Sequence, residues 1–136
     1  MSLILVVDDT ALERETVARL LELEGFQTVG ASSGKEAYAM LYSRKPDLVL
    51  LDLMMPEMDG IHLIRMMRHH PQWEQIPIIA LTAAREGGGA EASRNKLITR
   101  ARELGLDNFF SKTAFGFQDL MIRIRKALAN RVPSTN

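Results

Sequence analysis

The sequence predicts an α/β fold: a doubly wound parallel sheet of five strands covered by helices on both faces. Three observations point to it. Short apolar runs alternate five times with segments of helical period, which is the βα pattern of such sheets. The run Leu48 to Leu51 is apolar at consecutive positions, as a strand buried on both faces requires, rather than alternating. At 136 residues and 46% hydrophobic, the chain suits one domain with a real core.

The elements follow in order. "LILVV" (Leu3 to Val7) reads as the first strand. Thr10 and Glu13 then have the spacing of a capping box, and Val17, Leu20 and Leu21 form an apolar stripe ending before Gly25. "FQTVGA" is a weaker second strand. Ser33 and Glu36 repeat the capping-box signature, with Ala37, Met40 and Leu41 as the stripe. "LVLL" is the third strand, and an Asp59-Gly60 turn opens a helix carrying Ile61, Ile64 and Met67, closed by Pro71. "IPIIAL" is the fourth strand, with Pro77 acceptable only at its start. After the triplet Gly87 to Gly89, "AEASRNKLITRARELG" places Leu97, Ile98, Ala101 and Leu104 on one helical face. "NFFS" is a short fifth strand. The last helix has the clearest period, through Phe117, Leu120, Met121, Ile124 and Leu128. Residues 1–130 are expected to form a single domain, with 131–136 as a polar tail.

Charge narrows the functions. Seventeen Lys+Arg balance seventeen Asp+Glu, so bulk electrostatic attraction to nucleic acid or to an anionic membrane is not expected. Zero cysteines exclude disulfides and thiolate metal sites and fit a reducing compartment. The start, "MSLILVVDDT", has neither the basic region of a signal peptide nor the length of a membrane span. A cytoplasmic protein is the expectation.

In doubly wound sheets, functional groups gather at the carboxyl ends of the strands. Here the first strand ends on Asp8-Asp9, the third on Asp52, the fourth on Thr82 and the fifth near Lys112. Three carboxylates brought to one edge repel each other, and a hard divalent cation relieves this. Thr82 can donate a hydrogen bond to a phosphoryl oxygen, and Lys112 supplies a point charge of the right sign. A carboxylate is also a recognised covalent nucleophile, with an aspartyl phosphate as its product. Asp52 is then a candidate phosphate acceptor.

With those residues in place, the sequence resembles a response-regulator receiver domain of the stand-alone, CheY-like kind. The likeness rests on "VVDD" (Asp8, Asp9), "DLMMPEMDG" around Asp52, "LTA" (Thr82, Ala83) and Lys112. It implies a flavodoxin-like sheet of order 2-1-3-4-5. It implies that Asp52 accepts a phosphoryl group, that Thr82 and Lys112 hold that group, and that Mg²⁺ is the cofactor. The metal set it implies is Asp9 directly, Asp8 mainly through water, Asp52 and the backbone carbonyl of Met54. Thr82 and Phe109 match the family's switch pair, although Phe110 next door could exchange roles with Phe109.

The implied partners are a histidine kinase or a histidine phosphotransfer protein. A downstream protein would bind through the fourth helix, fifth strand and fifth helix, with no nucleic acid and no membrane. A monomer or a phosphorylation-dependent dimer fits such a module, and turnover of an external substrate is not expected. Two other readings carry less. A Mg²⁺-dependent phosphohydrolase with an Asp nucleophile would resemble "DxDxT", whereas this chain has Asp8-Asp9-Thr10 without a spacer. A constitutive pseudo-receiver scaffold would lack one of the acidic pair, Asp52 or Lys112, and all are present.

Two departures stand out. Thr113 follows Lys112 where relatives carry proline in a cis peptide, and a cis Lys112-Thr113 bond is still expected. The segment from Thr82 to Gly105, with Gly87 to Gly89, is longer than usual and is expected to lengthen the fourth helix. Among the remaining polar residues, His62, His69 and His70 read as solvated surface histidines, since no converging ligand set is near in sequence. Trp73 reads as a loop anchor. Arg123, Arg125 and Lys126 read as the wet face of the last helix.

Overall fold

The computed structural model describes residues 1–56, 59–82, 90–106, 108–111 and 116–130, leaving aside the side chains of residues 59, 82, 90–94 and 111. Five strands and five helices alternate: β1 (Leu3–Val7), α1 (Ala11–Leu23), β2 (Gln27–Ala31), α2 (Gly34–Arg44), β3 (Leu48–Asp52), α3 (Asp59–Arg68), β4 (Ile78–Thr82), α4 (Ala90–Glu103), β5 (Asn108–Ser111) and α5 (Phe117–Ala129). All strands are parallel, in the order β2-β1-β3-β4-β5. The order reverses between β1 and β3, and ligands of such sheets bind at that switch point.

Side-chain alternation splits the core in two. Odd positions of β1 and β3 (Leu5, Val7, Val49, Leu51) point to the face covered by α2, α3 and α4, where they meet Leu41, Ile64 and Ile98. Even positions (Ile4, Val6, Leu48, Leu50) point to the face covered by α1 and α5, where they meet Leu21, Met121 and Ile124. Both layers are closely filled, so truncating a core leucine to alanine costs about 2–5 kcal/mol. Alternation also separates the two phenylalanines of β5. Phe110 is 2% exposed in the α1/α5 layer, whereas Phe109 is half-buried against the other layer with the Arg102 guanidinium 4.7 Å from its ring centre.

Four local expectations are corrected. Thr10 caps α1 with its backbone carbonyl but makes no side-chain cap bond, and its own N–H donates to Asp8 Oδ1 at 2.9 Å. The Asp59-Gly60 pair is the start of α3 and not a turn before it. Gly60 is buried, and a Cβ there would lie 3.4 Å from the Asp52 carbonyl oxygen, so glycine lets α3 approach the end of β3. His70 is no simple solvated histidine: it stacks on Trp73 at 3.9 Å, and its Nε2 lies 3.4 Å from the Tyr42 hydroxyl. Arg123 does not lie along a wet face either, since it donates to Asn108 Oδ1 at 2.9 Å and sits over the Phe110 ring.

Other expectations hold. Ser33 caps α2 by accepting from the Glu36 N–H at 3.1 Å, while the Glu36 carboxylate accepts from the N–H and hydroxyl of Ser32. These bonds, the Ser32 hydroxyl first, hold the Glu36 carboxyl below its usual range. Trp73 anchors the α3–β4 connection as a fully enclosed core residue. Among the described residues, no helix is long and apolar enough to cross a membrane. The Lys112-Thr113 peptide and the Gly87 to Gly89 triplet lie outside the described residues.

Candidate functional site

Register sets the site. Val7 of β1 pairs with Leu51 of β3, so Asp8 and Asp52 leave neighbouring strands at one level. Both continue the even positions: Ile4, Val6, Asp8 along β1 and Leu48, Leu50, Asp52 along β3. Alternation therefore turns both toward the α1/α5 face, above the apolar layer. They are the only charged residues among the described set that are buried, at 4% and 7% exposure. Burying two carboxylates side by side is costly unless hydrogen bonds or a cation compensate.

Local bonds orient each carboxylate. Asp52 Oδ1 accepts from the Met54 N–H at 2.9 Å, fixing the carboxylate against the start of the following loop. Asp8 accepts from the Thr10 N–H, and its own N–H donates to the Ala31 carbonyl at 3.0 Å, tying the strand end to β2. The Asp8 carbonyl in turn accepts from Arg14 at 2.7 Å. The bonds from the Met54 and Thr10 N–H groups orient the two carboxylates, and the other two fix the Asp8 backbone.

One carboxylate was missed in the sequence. Glu13, more exposed than the other two, completes a group with Asp8 and Asp52 in which one oxygen of each lies within 4.8 Å of the others. The sequence signal was present, but capping-box spacing assigned Glu13 to the helix terminus. Asp9 is exposed and stands outside this group. Met54 is half-buried beside Asp52. Thr82 ends β4, one position past Leu81, which pairs with Asp52, and it pairs in turn with Ser111 of β5. Lys112 follows Ser111 and lies outside the described residues, as does the Thr82 side chain.

The donor set fits a hard cation. Three carboxylate oxygens within one ion's reach, two of them buried, suit Mg²⁺ or Ca²⁺ and offer nothing to a soft metal.

The response regulator receiver domain family matches residues 4–125. The chain belongs to that family. Its sequence is 37% identical over 130 residues to the phosphate regulon transcriptional regulatory protein PhoB of Pseudomonas aeruginosa, covering 96% of this chain and 53% of that protein. It is 39% identical over 132 residues to the transcriptional regulatory protein SrrA of Staphylococcus aureus, covering 97% and 49%. The chain thus spans about half the length of these curated relatives. Among solved structures, the signal receiver domain of a signal transduction histidine kinase from Syntrophus aciditrophicus superposes with a TM-score of 0.80 at 30% identity, covering 100% of this chain and 98% of that one. This receiver domain therefore shares both the sequence and the sheet order of two-component response regulators.

Proposed function

We propose that this receiver domain accepts a phosphoryl group on Asp52 from the phosphohistidine of a histidine kinase or histidine phosphotransfer protein. The observation that carries the reading is Asp52 itself: a carboxylate ending a fully buried strand at the switch point, oriented by the Met54 N–H and grouped with Asp8. A carboxylate oxygen of Asp52 attacks phosphorus in line, the P–N bond of the donor breaks, and the donor imidazole leaves with the bonding pair. Positioning and charge compensation supply most of the acceleration in such transfers. Asp8, Asp9, Asp52 and the Met54 carbonyl would hold Mg²⁺, which when bound offsets charge on the phosphoryl oxygens. Thr82 and Lys112, at the ends of β4 and β5, are assigned to bind those oxygens.

Phosphorylation then changes the surface formed by α4, β5 and α5. Thr82 and Phe109 are the switch residues of this reading, and the partly exposed Phe109 under Arg102 gives the surface a side chain able to move. The module works as a cytoplasmic relay within residues 1–130. It acts as a monomer or phosphorylation-dependent dimer, engages no nucleic acid or membrane, and turns over no external substrate. The test is treatment with acetyl phosphate and Mg²⁺ followed by mass spectrometry. One added phosphate is expected, absent in Asp52→Asn and suppressed by chelator. A phosphate that persists in Asp52→Asn would end this reading.

A further inference from the structure

Arg14 reaches back from α1 to the strand end that carries the acidic pair. Its Nη1 donates to the Asp8 carbonyl at 2.7 Å, the length of a charge-assisted bond. The stem behind that guanidinium lies across Gly30 of β2. Gly30 pairs with Val6, which places it on the sheet face that α1 covers. A Cβ at Gly30 would stand 3.2 Å from Arg14 Cδ and 3.4 Å from Nε. The strand is therefore bare where the arginine crosses it. Arg14 is half-buried along this path, and its charge extends to Glu36, whose carboxyl is held low first by Ser32 and further by Arg14.

What this bond holds is a peptide plane. The Asp8 carbonyl and the Asp9 N–H share one plane, so fixing the oxygen fixes the plane. The next peptide is tethered as well, since the Thr10 N–H donates to Asp8 Oδ1 at 2.9 Å. Asp9 thus stands between two held peptides, one tied by Arg14 and the other by Asp8. Its own side chain is exposed, so these tethers set the direction from which its carboxylate approaches the pocket.

We infer that Arg14 is a positioning residue for the cation site: by holding the Asp8 carbonyl it aims Asp9 and raises the affinity of the pocket for Mg²⁺. This rests on the reading that Mg²⁺ binds at the acidic pocket with Asp9 as a ligand. Two other roles make different predictions. Through charge alone, a guanidinium near the pocket would repel Mg²⁺ and weaken its binding, which is the opposite sign. A half-buried arginine that only covers apolar surface with its stem would change stability and leave cation affinity alone.

Isothermal titration calorimetry of the full chain with MgCl₂ separates the three, on the native protein, Arg14→Met, Arg14→Lys and Gly30→Ala. Thermal unfolding without Mg²⁺ is measured alongside. Arg14→Met keeps the stem and removes the donor, and should weaken Mg²⁺ binding by about tenfold, the loss typical when the supports of metal ligands are removed. Arg14→Lys keeps the charge but not the planar fork, and should weaken binding by a smaller factor. Gly30→Ala adds no charge, yet it crowds the arginine stem and should also weaken binding. The last two variants keep the test open if Arg14→Met does not fold. Tighter Mg²⁺ binding in Arg14→Met overturns the inference in favour of charge repulsion. A lowered melting temperature with unchanged affinity in all three variants overturns it in favour of a structural role. Both results leave the metal reading standing, whereas a native chain that binds no Mg²⁺ overturns the two together.

Discussion

The two edges of the sheet carry charge in opposite ways. At the carboxyl edge, Asp8, Glu13 and Asp52 bring like charges within 4.8 Å of one another. At the amino edge, Arg68, Arg123, Lys126 and Glu74 line an open cleft of about 650 Å³ beside Pro77 and Asn108. There the guanidiniums act as staples. Arg68 donates to the carbonyls of Gly105, Glu74 and Ile76 at 2.8–3.0 Å, joining the end of α3 to the entry of β4 and the exit of α4. Gly105 has φ +111°, and a Cβ at that position would sit 2.8 Å from Arg68 Cγ, so the staple also requires the glycine. The amino edge uses charge to hold the fold, and the carboxyl edge gathers carboxylates at the candidate site. Stability and function are divided between opposite ends of the same strands.

The sharpest way to break that comparison is at Arg68. Replacing it with methionine keeps much of the stem but removes donors from three carbonyls, and should cost about 2–4 kcal/mol on the scale of bonds to charged groups. Urea unfolding measures this, and a loss below about 0.5 kcal/mol would mean the staple is ornamental. At the opposite edge the sign should reverse. Without divalent cations, Asp52→Asn should stabilise the chain by about 1 kcal/mol, as removal of functional strain commonly does. Added MgCl₂ should then raise the melting temperature of the native protein but not of the variant, by ligand mass action. A destabilised Asp52→Asn would show that the acidic edge is not under repulsion.

A smaller effect is expected at Arg123. Truncation to alanine removes its bond to Asn108 and its contact with Phe110, and should cost about 1 kcal/mol by thermal unfolding.

The smallest effect concerns Glu36, whose carboxyl is held low by Ser32. Because its folded pKa is depressed, its contribution is present above the ordinary glutamate range and is lost as pH falls through the lowered value. Ser32→Ala should move the Glu36 titration, followed by NMR, up toward the ordinary range. No movement would assign the shift to another group.

Much of this was readable in the chain because it depends on local pattern. "NFFS" marks β5 from end to end, and the period of Phe117 to Leu128 marks α5, since apolar repeats need no knowledge of partners. Asp8 and Asp52 were readable because strand ends announce themselves where apolar runs stop. What the pattern missed depends on competition or distance. Glu13 was misassigned because one N–H had two possible acceptors, and only the fold decides that Asp8 takes it. His70 seemed solvated because its partner Tyr42 comes from α2, far away in sequence. Phe109 and Phe110 could not be told apart until alternation along β5 put them on opposite faces.

The enclosed tryptophan has an optical consequence. Trp73 is the chain's only tryptophan, and it sits in the α3–β4 connection at the amino edge. A five-residue strand separates that edge from Asp52, about 16 Å at the usual rise per residue. Its indole lies flat against the His70 ring and meets Tyr38 and Tyr42 edge-on. The protein's fluorescence is therefore governed by its imidazole and phenol neighbours rather than by the acidic pocket. Emission should shift to the red on unfolding, while cation binding at the opposite edge passes in the dark.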